Sequence, residues 1–148
     1  MTNYQRFVAM IVTSTVVMFG LMYLNTYQLD HVFFSETRAY MAVVMGAAMA
    51  LVMFGFMRGM YTNPRLNLAI AAATIVVFAV ALWLIRSQTT IDDVSYMKAM
   101  IPHHSIAILT SGRANISDPR VRALADEIIA AQRREIDQMK RLIRELDE

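Results

Sequence analysis

The sequence predicts an all-α fold: three transmembrane helices followed by a two-helix hairpin of ferritin-like, four-helix-bundle type. Three observations carry this reading. Uncharged apolar stretches occupy residues 7–29, 39–57 and 66–85, each close to the ~20 residues a helix needs to cross a ~30 Å hydrocarbon core. Charge is concentrated beyond them: residues 1–86 hold five Arg and two acids, residues 87–148 nine basic and ten acidic side chains. In that last segment, apolar residues recur at helical spacing between turn signals. A chain of 148 residues cannot build a soluble core that buries three such helices. The expected organisation is a three-span region, 1–86, and a helical hairpin, 87–148.

The first span opens after Arg6. Its apolar run is too long, and its flanks lack the small-x-small site, for a cleaved signal peptide. Arg38, Arg58, Arg65 and Arg86 bound the other spans, and Tyr4, Tyr23, Tyr27, Tyr40, Tyr61 and Trp83 lie near the expected ends, as interfacial aromatics do. Arg6, Arg58 and Arg65 share one side of the bilayer with no acid, against Arg38 and Arg86 on the other. The positive-inside rule therefore puts the N-terminus in the cytoplasm and the hairpin outside it, in an inner, multi-pass membrane protein.

The second span carries Met41, Met45, Met49, Met53 and Met57. Steps of four residues advance about 40° each, so the sulfurs form one slanting ridge. Beside it, Ala42, Gly46 and Ala50 make a small-xxx-small row that allows close helix approach. The ridge is first of all flexible gap-filling; as a soft-ion path it would make His31, in the outer loop, an entry ligand.

After the third span, Thr90-x-x-Asp93 reads as a capping box opening a helix through Ser111. A turn follows over residues 112–117. Asp118-Pro119 then supplies an N-cap and a proline at the first helical position of a second helix running to the C-terminus. Its apolar seam reads Ala125, Ile128, Gln132, Glu135, Met139, Leu142 and Leu146. Two helices have no closed core, so two hairpins are expected to pair into a four-helix bundle, making the protein a homo-oligomer, with packing on the ends of the spans as the competing solution.

Within the first hairpin helix, Met97-x-x-Met100-x-x-His103-His104 is the stretch with the most chemistry. Met97, Met100 and His104 fall within about 60° of one another on a helix, offering two thioethers and an imidazole to one ion. Such donors suit Cu(I) and poorly suit Mg²⁺ or Ca²⁺. His103 points about 100° away from His104 and needs the distortion that Pro102 can supply. The competing reading is that these side chains only pack. Zero Cys against 13 Met fits soft-ion binding outside the cytoplasm, where thiols oxidise. The basic surplus flanks the spans, so no nucleic-acid partner is expected.

Asp93-Val-Ser-Tyr96-Met97-Lys-Ala-Met100-Ile-Pro102-His103-His104, followed by Ile128-Ile129-Ala-Ala-Gln132-Arg-Arg-Glu135-Ile136-Asp-Gln-Met139, resembles the domain-of-unknown-function 305 family. This is the helical, CopM-like family with the Met-Ile-Pro-His-His signature, and the resemblance spans about residues 92–146. It implies a ferritin-like bundle outside the cytoplasm and, in members with an assigned role, Cu(I) or Ag(I) bound by Met and His. Carried over by position, the ligands are Met97, Met100, His103, His104 and Met139. Asp93 would cap the helix or orient a His, with Gln132 and Glu135 as supporting polar residues. The chain departs from the pattern where many members have Gln-Gly and then a further Met: Ser105-Ile106 and Thr110 stand there. In an antiparallel hairpin, a turn near Asn115 brings Met139 within about one helical turn of Asp93 and Met97.

The expected function is that of a membrane-anchored copper-binding protein without turnover, in copper tolerance or handling. The alternative is a structural or assembly protein of the membrane. A ferritin-type di-metal enzyme fits poorly, since such sites need Glu-x-x-His on facing helices and the chain contains none.

Overall fold

The computed structural model describes residues 2–147 and is all-helical, with no strand among the described residues. Five helices follow in order: α1 Asn3–Leu21, α2 Glu36–Phe56, α3 Pro64–Ser87, α4 Asp93–Arg113 and α5 Pro119–Leu146. Short 3-10 turns lie at Leu29–His31 and Arg58–Met60. The chain divides into two compact units. One holds the residues up to Met22 with Thr37–Thr90; the other holds Tyr23–Glu36 with the residues from Ile91 onward.

In the first unit, α1, α2 and α3, with 19, 21 and 24 residues, are long and apolar enough to cross a membrane. Thr2 and Gln5 close a capping box on α1. The helix stops at Leu21, short of the apolar run that reaches residue 29. Thr26 folds its hydroxyl back onto the Tyr23 carbonyl (2.9 Å), the local bond that competes with helix continuation. Arg38 donates to the part-buried Met22 carbonyl at 2.6 Å, satisfying an acceptor that the helix end leaves open. The small-residue row of α2 is a buried face, with Ala42, Gly46, Ala47 and Ala50 all inside. A β-carbon on Gly46 would collide with the Thr15 side chain, so glycine sets how closely α1 and α2 approach. The Met ridge lies to its flank: Met41 and Met45 are exposed, while Met53 and Met57 pack against Phe7, Ala50 and Tyr61. Asn63 caps α3 through Arg65 and Leu66 amides. Gln88, in the left-handed region at φ 53°, ends α3.

In the second unit, α4 and α5 pack along their length around Met97, Ile101, Ile108, Ile136 and Ile143. The cap of α4 differs from the expected one. Asp92 is the N-cap, accepting from the Ser95 amide at 2.7 Å, because a carboxylate one residue before the helix outcompetes the Thr90 hydroxyl. Asp118 caps α5 as expected, with Pro119 at its first position. The buried line of α5 shares Ala125 and Met139 with the expected seam but elsewhere runs one residue later, at Ile129, Ile136 and Ile143 in place of Ile128, Glu135 and Leu142. Ala125, Ile136 and Ile143 are buried, with Ile129 and Met139 packed beside them, while Leu142 and Leu146 are exposed. Apolar doublets such as Ile128-Ile129 and Leu142-Ile143 give two seams of equal spacing, and the fit against α4 selects one. The hairpin is not alone in this unit. Phe33, from the segment between α1 and α2, packs against its core cluster.

Candidate metal centre

A groove of about 490 Å³ runs between α4 and α5, lined by Asp93, Tyr96, Met97, Met100 and His104 from one helix. Glu135, Gln138, Met139, Leu142 and Leu146 line it from the other. Four of the five expected ligands, Met97, Met100, His104 and Met139, meet in it. The fifth, His103, is exposed and does not line the groove. Pro102 is buried inside a helix that runs on from Asp93 to Arg113, and His103 stays on the exposed side of that helix. The two rings stand 6.1 Å apart, edge to face.

The burial of the donors follows from their places on the helices. Met97 is 6% exposed and belongs to the core cluster; Met139 packs against that cluster from α5. The His104 side chain is 12% exposed and Glu135 51%. The groove therefore has buried sulfur at its floor, with Glu135, Leu142 and Leu146 exposed at its rim.

His104 is held at both nitrogens. Nδ1 lies 2.9 Å from the Met100 carbonyl oxygen, and a carbonyl only accepts, so Nδ1 carries the hydrogen. Nε2 lies 2.7 Å from Glu135 Oε2. A metal-bound imidazole commonly donates its other N–H to a backbone carbonyl or carboxylate, which fixes its orientation. The Met100 carbonyl already does this for His104, leaving Nε2 as the nitrogen that can ligate. Glu135 would then stand beside the ion as counter-charge.

Residue types decide what such a groove can hold. Thioether sulfur and imidazole nitrogen prefer soft to borderline ions, and thioethers bring no charge to stabilise a hard dication. Among the described residues, no three His, Asp or Glu side chains converge as a candidate metal-holding group; the donors lining the groove are three sulfurs and one imidazole, with the Asp93 and Glu135 carboxylates beside them.

Residues 87–148 match the family described as Domain of unknown function (DUF305). The chain is also 34% identical over 108 residues to Uncharacterized protein L153 of Acanthamoeba polyphaga mimivirus, covering 72% of this chain and 69% of that protein. The chain belongs to the DUF305 family. The similarity to the viral protein is longer than the matched domain, so it reaches into the apolar helices that precede it. No solved structure matches the chain.

Three further positions singled out in the sequence of this DUF305 domain have defined surroundings. Gln132 does not line the groove; Gln138 does. Thr110 bonds back to the Ile106 carbonyl at 3.0 Å. Ser105 is fully buried and binds the segment between α1 and α2: its hydroxyl accepts from the Tyr27 amide at 2.7 Å and lies 2.9 Å from His31 Nδ1. His31, which the sequence offered as an entry ligand in the outer loop, is buried, 6% exposed. Burial, followed by the charge of Lys140, holds its pKa below the usual histidine value against the opposing charges of Asp30 and Asp137. The sequence reading missed Tyr96, Gln138 and the His31–Ser105 pair. The first two are one residue from a recognised methionine, a signal that was present. The last is a contact between residues 74 positions apart, for which one sequence carries none.

Proposed function

We propose that this chain is a membrane-anchored Cu(I)- or Ag(I)-binding protein of copper tolerance or handling, without turnover. One observation carries the reading: the groove gathers Met97, Met100 and Met139 around a His104 whose Nδ1 is already tied to a carbonyl. The Met-Ile-Pro-His-His run at 100–104, the CopM-like signature, supports the same assignment. His103, outside the groove, is a ligand only through rearrangement or from a second copy. In this reading the three apolar helices cross an inner membrane, the N-terminus is cytoplasmic and the hairpin lies outside. The arginine distribution supports that orientation, and active alkaline phosphatase fused to the C-terminus is the expected result. The exposed Leu142 and Leu146 at the groove rim support pairing with a second hairpin into a four-helix bundle.

A second reading rests on the burial of Met97 in the core: a structural or assembly protein in which the methionines only pack. Metal analysis of the protein purified from membranes separates the two. Met100→Leu with Met139→Leu nearly conserves volume and costs under about 1.5 kcal/mol of stability per site. Loss of bound Cu(I) in this folded variant supports ligation, and unchanged binding supports packing.

A further inference from the structure

The segment Tyr23–Glu36, between the first two apolar helices, belongs to the same compact unit as the groove. Its attachment to the hairpin is specific in place. Asp30 and His31 are consecutive residues of one 3-10 turn, Leu29–His31. Asp30 accepts from Lys140 of α5 at 2.6 Å, and His31 pairs with Ser105 of α4 at 2.9 Å. One rigid turn therefore grips both hairpin helices. The two gripped residues directly follow candidate ligands in sequence: Ser105 follows His104, and Lys140 follows Met139. Neighbours on a helix point about 100° apart, so the turn holds each helix from the side of the groove without entering it. Three further contacts seat the segment. The Tyr27 amide bonds Ser105 Oγ, Ser95 Oγ donates to Glu36 Oε1 at 3.3 Å, and Phe33 packs on the cluster that contains Met97.

From this juxtaposition we infer that Tyr23–Glu36 is a strap that positions the soft-metal groove, with Asp30 and His31 as its positioning residues. The inference rests on the metal-binding reading of the groove. By setting how α4 sits against α5 at the level of His104 and Met139, the docked strap fixes the spacing of the donors. Coupling of this kind is reciprocal: whatever factor strap docking adds to metal affinity, the metal adds to strap docking. Occupancy of the groove is thereby passed to the segment that joins α1 to α2 in the chain.

The test uses the full chain in detergent micelles, with Ag(I) as the probe. Affinity is measured by competition titration, and strap amide exchange is followed with and without Ag(I). The wild type should bind Ag(I), and the ion should slow exchange of the strap amides. Asp30→Asn combined with His31→Ala should release the strap and weaken Ag(I) binding by about 5- to 100-fold. His31→Asn, whose amide can still reach Ser105, should restore most of that loss. Asp30→Asn alone, at an exposed side chain, should act in the same direction by a smaller factor while the hairpin stays helical. A wild type that binds Ag(I), with variants that bind equally well although their straps exchange freely, overturns the coupling and leaves the metal reading intact. A wild type that does not bind Ag(I) overturns both.

Discussion

Replacing Ser105 by alanine isolates the attachment of the strap. The residue is 0% exposed, and its hydroxyl serves both the Tyr27 amide at 2.7 Å and His31 Nδ1 at 2.9 Å. Deleting one oxygen leaves a space too small for a well-bonded water, so the buried His31 ring loses its partner outright. The Tyr27 residue is exposed, and water can serve its amide once the loop shifts. An unsatisfied buried polar group costs about 1–3 kcal/mol, and the His31 loss alone is therefore worth about 2 kcal/mol. At about 1.4 kcal/mol per tenfold, strap opening becomes roughly thirtyfold more frequent. Amide hydrogen exchange of the full chain reads this directly, since local opening sets protection. The informative amides are His31 and Val32, which close the 3-10 turn onto Gln28 and Leu29. They should exchange roughly thirtyfold faster in Ser105→Ala, while α5 amides around Ile136 keep their protection. Unchanged protection at His31 and Val32 would refute the claim that Ser105 holds the strap.

Other expectations follow from the same contacts. Gly46→Val drives a side chain into Thr15, whose hydroxyl is tied to the Ile11 carbonyl at 2.8 Å. Overpacking of this kind costs about 1–3 kcal/mol, so the midpoint of thermal unfolding in detergent should fall, whereas Gly55→Ala, with open space around it, should not lower it. Because His31 is held below its ordinary pKa by burial and by Lys140, the released strap takes up a proton more readily than the docked one. Docking is then strongest above the ordinary histidine range and weakens as pH falls through it toward the depressed value; strap protection, corrected for intrinsic exchange rates, should drop as pH falls below the ordinary histidine value of about 6.5. His31→Asn should flatten that dependence. Sedimentation of the full chain in detergent should give a dimer or larger species, and a monomer across the micromolar range would contradict pairing through the exposed Leu142 and Leu146.

Much of the fold was legible because long apolar helices announce themselves through length and composition, and the hairpin through Asp118-Pro119 and helical spacing. The small-residue row at Ala42, Gly46 and Ala50 proved to be a buried face because small side chains have their effect only at a close approach. The end of α1 was not legible. Apolar composition continues through residues 22–29, and what stops the helix is Thr26 bonding backward and Arg38 reaching the Met22 carbonyl. The register of α5 was ambiguous in principle, since paired apolar residues satisfy two seams and only packing against α4 chooses between them. At the candidate site, the angular argument for Met97, Met100 and His104 holds in the groove because it depends on helix geometry alone. His103 fell outside it because Pro102 sits in a continuous helix. The strap was invisible because its anchor, Ser105, looks in sequence like the loss of a family residue and in space is a long-range hydrogen-bonding partner.

X-ray absorption at the copper edge of the Cu(I)-loaded full chain tests the central claim most directly. A first shell of two to three sulfurs with one nitrogen is expected, with His104→Ala removing the nitrogen contribution and Met100→Leu reducing the sulfur. A shell of nitrogen and oxygen alone, unchanged in both variants, would contradict it.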